Sequence, residues 1–389
     1  MRHYNYPRVY PRLSAEDAEK LKNSRVLVID RHVAEEVLDP DECLRLLEEA
    51  YKEEGLASAV NRTKAEILVP TKDPDTWYRY CTMEGGIRGM GVVAIRIKSD
   101  VVHYYSPFGR ARTDWFCAFP GRFFGLILLF NAEDGALLAM LHDAHIQHMR
   151  VAATVTIASR YLAREDSKVL AVLGSGGMAW THAMYLAGIR PIQKIKVYSP
   201  NAEHRQNFAH QVREAAEIET TALGDPRETV EGSDIVAVCT NAVEPAILGE
   251  WLEKGMHIII TRPSGVEMDD RGWSVLDKLV VYESPAGVQG GPCETRWTAE
   301  ADWRFAGGTT GPRLERRKRL VGAEKTDSLP DLLLGRVKGR ENRDQITCTL
   351  NEGTGVQFAA VALEVYRQAK AKRLGKEIPL DWFLQDVTN

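Results

Sequence analysis

Paired cysteines are missing from this sequence. Its six cysteines, Cys43, Cys81, Cys117, Cys239, Cys293 and Cys348, lie far apart and form no CxxC pair. That argues against a zinc knuckle or a disulfide framework and fits a reducing compartment. A surplus of one charge is missing too. Lys and Arg number 50 against 54 Asp and Glu, a formal net charge of −4, so nothing marks a nucleic-acid surface. Long apolar runs are absent: the longest, Phe123 to Phe130, is far too short to span a bilayer. The first residues, MRHYNYPRVYPRLS, lack the apolar core of a signal peptide. No internal repeat is visible. The expectation is a cytoplasmic protein with neither nucleic acid nor membrane as partner.

What is present is ample material for a core. At 389 residues, with 44% hydrophobic and 27% charged residues, the chain has the composition of a globular protein long enough for two domains. Ser14, with Asp17 three residues on, opens a first helix. Asp39 and Pro40 open a second, which stops at Gly55 and carries one apolar stripe of Cys43, Leu46, Leu47, Ala50 and Tyr51. Strand-like runs follow at Ala65–Val69, Trp77–Met83, Val92–Lys98, Gly125–Phe130 and Ala136–Leu141. Asn131 to Gly135 joins the last two as a hairpin. This half reads as a helix pair and an antiparallel sheet.

The pattern changes at Arg150. A helix over Val151–Ala163 leads to a buried-strand run, Lys168–Leu173. Strands at Lys194–Tyr198, Ile235–Cys239, His257–Ile260 and Leu279–Tyr282 then alternate with helices. That alternation predicts an α/β fold with a parallel, doubly wound sheet. Residues 285–327, rich in Gly, Arg and Glu with Trp297 and Trp303, read as an insertion, and a last helix spans Gly355–Lys372.

Between strand and helix lies Gly174-Ser175-Gly176-Gly177-Met178-Ala179, a G-x-G-x-x-A pattern. The first glycine permits the tight turn, the second lets backbone approach a pyrophosphate, and the small third position lets helix and sheet pack. The helix N-terminus offers free N–H groups to phosphate. The following strand ends in Ser199 where an NAD-binding domain places an acid, and Asn201 and Arg205 follow. Without that carboxylate a 2′-phosphate is not repelled, and Arg205 can pair with it. NADP is therefore expected over NAD, with NAD still possible. Thr240, just past the strand Ile235–Cys239, is also assigned to the cofactor.

Residues 126–188 carry a further signature: a hairpin of the form LLF-x-x-x-x-G-x-L-A, an Arg before a small-residue helix, then G-x-G-x-x-A-x-x-H. Together with Gly232-Ser233-Asp234, Pro245–His257, Leu329–Thr347 and Asn351-Glu352-Gly353, this resembles the ornithine cyclodeaminase/mu-crystallin family. The resemblance implies a Rossmann domain (151–345, with the insertion) set into a discontinuous α+β substrate and dimerisation domain (1–150 and 346–389). It also implies a homodimer and reduction of imines or imino acids with NAD(P). Family members hold a substrate carboxylate with basic groups at positions matched here by Arg62, Arg96 and Arg150. The family has Lys where this chain has Arg96, and Lys98 lies on the same strand face two residues on. Asn351 matches a position beside the nicotinamide.

The cyclodeaminases place an acid just after the strand that here ends at Ile260. This chain reads Thr261-Arg262-Pro263-Ser264-Gly265 instead. Three histidines, His142, His145 and His148, precede Arg150, but no acid or cysteine cluster accompanies them and no metal is expected. The reading is an NADP-dependent reductase of the C=N bond of a small imino acid, cyclic or formed from a 2-oxo acid and an amine. The alternatives are an ornithine or lysine cyclodeaminase, or a binding protein that keeps NADP and a carboxylate ligand without turnover.

Overall fold

Side-chain caps set the first helices. Ser14 Oγ accepts the Asp17 N–H at 3.0 Å and opens α1 (Ala15–Asn23). A five-residue strand, β1 (Arg25–Ile29), and a short helix, α2 (Arg31–Val37), come next. Asp39 then accepts the N–H groups of Asp41 and Glu42, both at 3.0 Å, and with Pro40 it opens α3 (Pro40–Gly55). The expected stripe of α3 is buried, with Leu44 added. The computed structural model describes residues 13–62, 64–105, 112–242, 244–261, 267–282 and 319–385. Most of the expected insertion, with Trp297, Trp303 and Cys293, lies outside the described residues, as does Arg262–Gly265.

The first sheet joins β1 to β2 (Ala59–Asn61), β3 (Ala65–Pro70), β4 (Thr76–Ile87), β5 (Val92–Tyr105), β6 (Arg112–Phe116), β7 (Gly125–Asn131) and β8 (Leu137–His142). Its order is β17-β1-β8-β7-β5-β4-β2, where β17 is the late strand Lys376–Pro379; β3 pairs with β4 and β6 with β5. The sheet is mixed, not wholly antiparallel as expected, because β1 runs parallel to β8. In the β4–β5 pairing Met83 faces Arg96 and Cys81 faces Lys98, so both cations project from one face.

Helix α4 (Ala144–Leu162) starts at Ala144, earlier than the expected Val151. Its first turns bury Ile146 and Met149, while His145, Gln147 and His148 between them mask the apolar period in sequence. The second sheet follows: β9 (Val169–Leu173), β10 (Lys194–Tyr198), β11 (Glu219–Leu223), β12 (Ile235–Val238), β13 (His257–Ile260), β14 (Lys278–Tyr282), β15 (Thr326–Ser328) and β16 (Thr347–Asn351). Its order is β11-β10-β9-β12-β13-β16-β14-β15, and every described pairing is parallel. The strand order reverses at β9 and β12, the switch point of a doubly wound sheet. Strands β12, β13, β14 and β16 are buried on both faces, as a sheet covered on both sides requires.

The connecting helices include α5 (Gly177–Ala187), α6 (Ala202–Ala216), α7 (Pro226–Val230), α8 (Asp270–Ser274) and α9 (Leu329–Leu333). The last helix, α10 (Gly355–Lys372), has the bounds expected and packs on β4 and β5 of the first sheet. Thus the chain leaves the second sheet at β16 and returns to the first.

Candidate active site

The C-terminal ends of β9, β10 and β12 meet at the glycine loop. Gly174 takes φ +134°, and its N–H donates to Tyr198 O at 2.8 Å. A β-carbon there would overlap the carbonyl of Cys239, so only glycine lets the loop turn this close to β12. Gly176 has open space where a β-carbon would point. Helix α5 begins at Gly177 with no side-chain cap and no acid in its first turn. Its leading N–H groups and dipole are therefore available to an anion, and Ser175 and Met178 flank them, partly exposed. This cradle fits a dinucleotide pyrophosphate.

Around the loop, Ser199 is buried at the end of β10. Arg205 folds back from α6 so that Nη1 donates to the carbonyls of Ser199 at 3.1 Å and Pro200 at 3.3 Å. Asn201 caps α6 by accepting the His204 N–H at 3.0 Å. Thr240 Oγ1 accepts the Ala242 N–H at 3.1 Å. Residues outside the expected set also shape the loop. The His182 ring lies 2.7 Å from Met178 O through Nδ1 and 3.1 Å from Thr261 Oγ1 through Nε2. Burial pushes this imidazole down to about 4, so it is a neutral clamp between α5 and β13. His148 on α4 packs against Gly177, with Cε1 2.7 Å from where a β-carbon would stand.

The cations gather one layer away. Arg96 is buried, and its Nε and Nη2 donate to Asp143 Oδ2 at 3.0 and 2.6 Å. Asp143 stands before α4 but makes no cap bond; its other oxygen, Oδ1, is buried without a hydrogen-bond partner. Sequence reasoning missed this acid, because the helix was expected to begin only at Val151, which left Asp143 in a connecting stretch. Lys98 is buried with its ammonium 2.9 Å from Asp100 Oδ2 and 4.4 Å from the Trp115 ring centroid. Burial, with Arg96 and Arg79 nearby, pushes Lys98 down to about 7.

Arg150, on α4, differs from both. It is buried, yet its described partners are neutral. Nη1 donates to Gln357 Oε1 and Nη2 to Gln147 Oε1, each at 2.6 Å, and Nε has no partner. Burial and then Arg96 push it down to about 9, still charged at neutral pH. The guanidinium carbons of Arg150 and Arg96 lie 4.7 and 5.2 Å from the centroid of the same Phe358 ring. So the fold brings Arg96, Lys98 and Arg150 together. Arg62 stands apart: it is half exposed, 3.6 Å from Glu84. Asn351 ends β16, fully enclosed. Its Oδ1 accepts the Gly353 N–H at 2.9 Å, and its Nδ2 has no partner. No group of three metal-ligating side chains occurs among the described residues, and the three histidines do not converge on one.

Arg150 and Arg96 are thus two buried guanidinium groups over one ring, the first held by neutral amides and the second by a carboxylate. The sequence profile of the ornithine cyclodeaminase/mu-crystallin family matches residues 121–373. The chain belongs to this family. The Delta(1)-pyrroline-2-carboxylate reductase of Bacillus cereus is 28% identical over 257 residues, covering 65% of this chain and 74% of that protein. The rat ketimine reductase mu-crystallin is 31% identical over 159 residues, 40% of this chain and 49% of that one. Among solved structures, the Delta(1)-pyrroline-2-carboxylate reductase of Thermococcus litoralis, in complex with NADH and L-proline, superposes with a TM-score of 0.70 at 22% identity. It covers 91% of this chain and all of that one, which shows a shared fold. Within the ornithine cyclodeaminase/mu-crystallin family, the histidine of the G-x-G-x-x-A-x-x-H signature is His182, whose role in this fold is the clamp described above.

Proposed function

We propose that this protein is an NADP-dependent reductase of the C=N bond of a small imino acid, cyclic or formed from a 2-oxo acid and an amine. The observation that carries the reading is Arg150: a guanidinium buried among neutral partners, with its Nε unpartnered. Buried charge of this kind calls for a counter-charge, and a planar carboxylate matches the fork. Membership of the family and the reductases among its relatives support the same reading.

Bound reduced nicotinamide supplies the hydride for the imine carbon. The chain supplies the rest. The glycine loop and the start of α5 would hold the pyrophosphate, Arg205 would pair with a 2′-phosphate, and the Nδ2 donor of Asn351 would be free for the carboxamide. Arg150 fixes the substrate carboxylate and so sets the position of the carbon. Arg96 is fixed by Asp143 and adds positive field; Lys98 brings an ammonium that can give up its proton near neutral pH. A pocket acid or water completes protonation of the nitrogen. The domain plan follows the family: the second sheet is the cofactor domain, and residues 1–150 with 346–389 form the substrate and dimerisation domain of a cytoplasmic homodimer.

The test is a pair of incubations. With a cyclic imino acid, or a 2-oxo acid plus amine, NADPH absorbance should fall. With ornithine or lysine and catalytic NAD(P), no ammonia should appear. Ammonia with proline or pipecolate in the second, and no NADPH loss in the first, overturns the proposal in favour of a cyclodeaminase. Binding of both ligands with no turnover in either makes it a binding protein.

A further inference from the structure

Gln357 stands at the third position of α10 and is completely buried. Its amide orientation is fixed by its neighbours. Oε1 faces the Arg150 Nη1 at 2.6 Å and the Thr354 N–H at 3.0 Å, and both can only donate. Nε2 therefore faces Tyr51 Oη at 3.0 Å, Thr154 Oγ1 at 2.8 Å and Asn351 Oδ1 at 3.1 Å. The Tyr51 and Thr154 hydroxyls are themselves hydrogen-bonded.

The same logic fixes Asn351. Its Oδ1 receives two donors, the Gly353 N–H and Gln357 Nε2, so the amide cannot flip without facing donor to donor. That leaves Nδ2 as the buried donor without a partner. On the other side of Gln357, Arg150 is left with an unpartnered Nε. One side chain thus holds, by its two ends, two groups that each keep a nitrogen without a partner.

We propose that Gln357 is a positioning residue that couples cofactor binding to substrate binding. The proposal rests on the reading of Asn351 as nicotinamide partner and Arg150 as carboxylate anchor. A ligand that takes the Asn351 Nδ2 donor holds that amide, and through it the Nε2 end of Gln357. The Oε1 end is then held for Arg150, whose fork is presented already ordered. The second ligand meets less disorder than the first, which is positive coupling without a change of fold. Reciprocity requires the carboxylate ligand to tighten the cofactor by the same factor.

The experiment measures the NADPH dissociation constant with and without saturating L-proline as the carboxylate probe. The unmutated protein should show tightening of about fivefold or more. Gln357→Met removes both ends of the link, and the ratio should fall below about twofold. Gln357→Leu, also neutral and also lacking both ends of the link, should lose the coupling as well and carries the test if the Met variant does not fold. A residue that is merely structural would lower the melting temperature and leave the ratio alone. Absence of coupling in the unmutated protein, or its survival in a folded variant, overturns the inference. Failure of the reductase reading would show separately, as no NADPH loss with any imine.

Discussion

The backbones of Gly85 and Gly355 cross in contact. A β-carbon on Gly355 would overlap the Glu84–Gly85 peptide, and one on Gly85 would overlap Val356 N. This crossing seats the first turn of α10 directly on β4. It thereby places Gln357 and Phe358, two and three residues on, under Arg150 and Arg96. A packing detail of two glycines thus fixes the geometry of the cation pocket.

Gly355→Ala should therefore cost about 1–3 kcal/mol, since neither backbone can give way cheaply. The control is Gly188→Ala, where the nearest atom to a new β-carbon is 3.6 Å away and φ is −82°. Thermal unfolding of the two variants should separate them by several degrees. Equal melting temperatures would mean the crossing is loose.

Arg205→Ala should weaken NADPH by about 1–3 kcal/mol, the worth of a charge-assisted hydrogen bond, and leave NADH within about twofold. The guanidinium is already parked at the end of β10 by the Ser199 and Pro200 carbonyls, so little ordering is needed to meet a phosphate. Fluorescence titration of both cofactors is the measurement. Equal affinity for the two in the unmutated protein would remove the case for NADP.

Much of this was legible in the sequence. The glycine loop, its strand and helix, and the bounds of α10 follow from short-range chemistry that sequence displays directly. What was not legible depends on long-range pairing. Strand β1, RVLVI, sits between two helices without a turn signal and is explained only by its partners β8 and β17. Strand β16 is identified by where it inserts, between β13 and β14, not by its five residues. Asp143 and Gln357 were invisible for the same reason: Asp143 fell before the expected start of α4 and Gln357 lay in the first turn of α10, and only the fold turns Asp143 toward Arg96 and Gln357 toward Arg150.

Lys98 makes stability depend on pH in a direction that can be checked. Its folded value is about 7, below the ordinary 10.5. Between those values the unfolded chain binds a proton that the folded chain does not, so stability rises with pH through that window. Below pH 7 the full cost of burying the ammonium applies. From pH 7 to 8.5 the melting temperature should climb, and Lys98→Met should flatten the climb. Histidines pushed down by burial, such as His148, act below this range, and thiols pushed up, such as Cys239 at about 12, act near its top or above it. An unchanged slope in Lys98→Met would mean the ammonium is better solvated than its surroundings indicate.

Arg150→Lys is the sharpest test of the carboxylate anchor. Lysine keeps a positive charge at the same position on α4, so any loss comes from geometry and desolvation. The arginine fork spends Nη1 on Gln357 and Nη2 on Gln147, and still has donors in the same plane for a carboxylate. An ammonium is a point charge and cannot hold two side-chain amides and a ligand in one plane. It also loses its proton more readily when its partners are all neutral. The catalytic efficiency for imine reduction, kcat/KM, should therefore fall about 10–100-fold, about 1.4–2.7 kcal/mol of transition-state stabilisation. NADPH affinity measured without substrate should shift only a few-fold, because the glycine loop and Arg205 are untouched. Arg150→Ala should lose more in efficiency, since it also strands the Gln357 and Gln147 oxygens without a donor. Full efficiency in Arg150→Lys would show that the substrate carboxylate is held elsewhere, with Arg96 and Lys98 the next groups to examine.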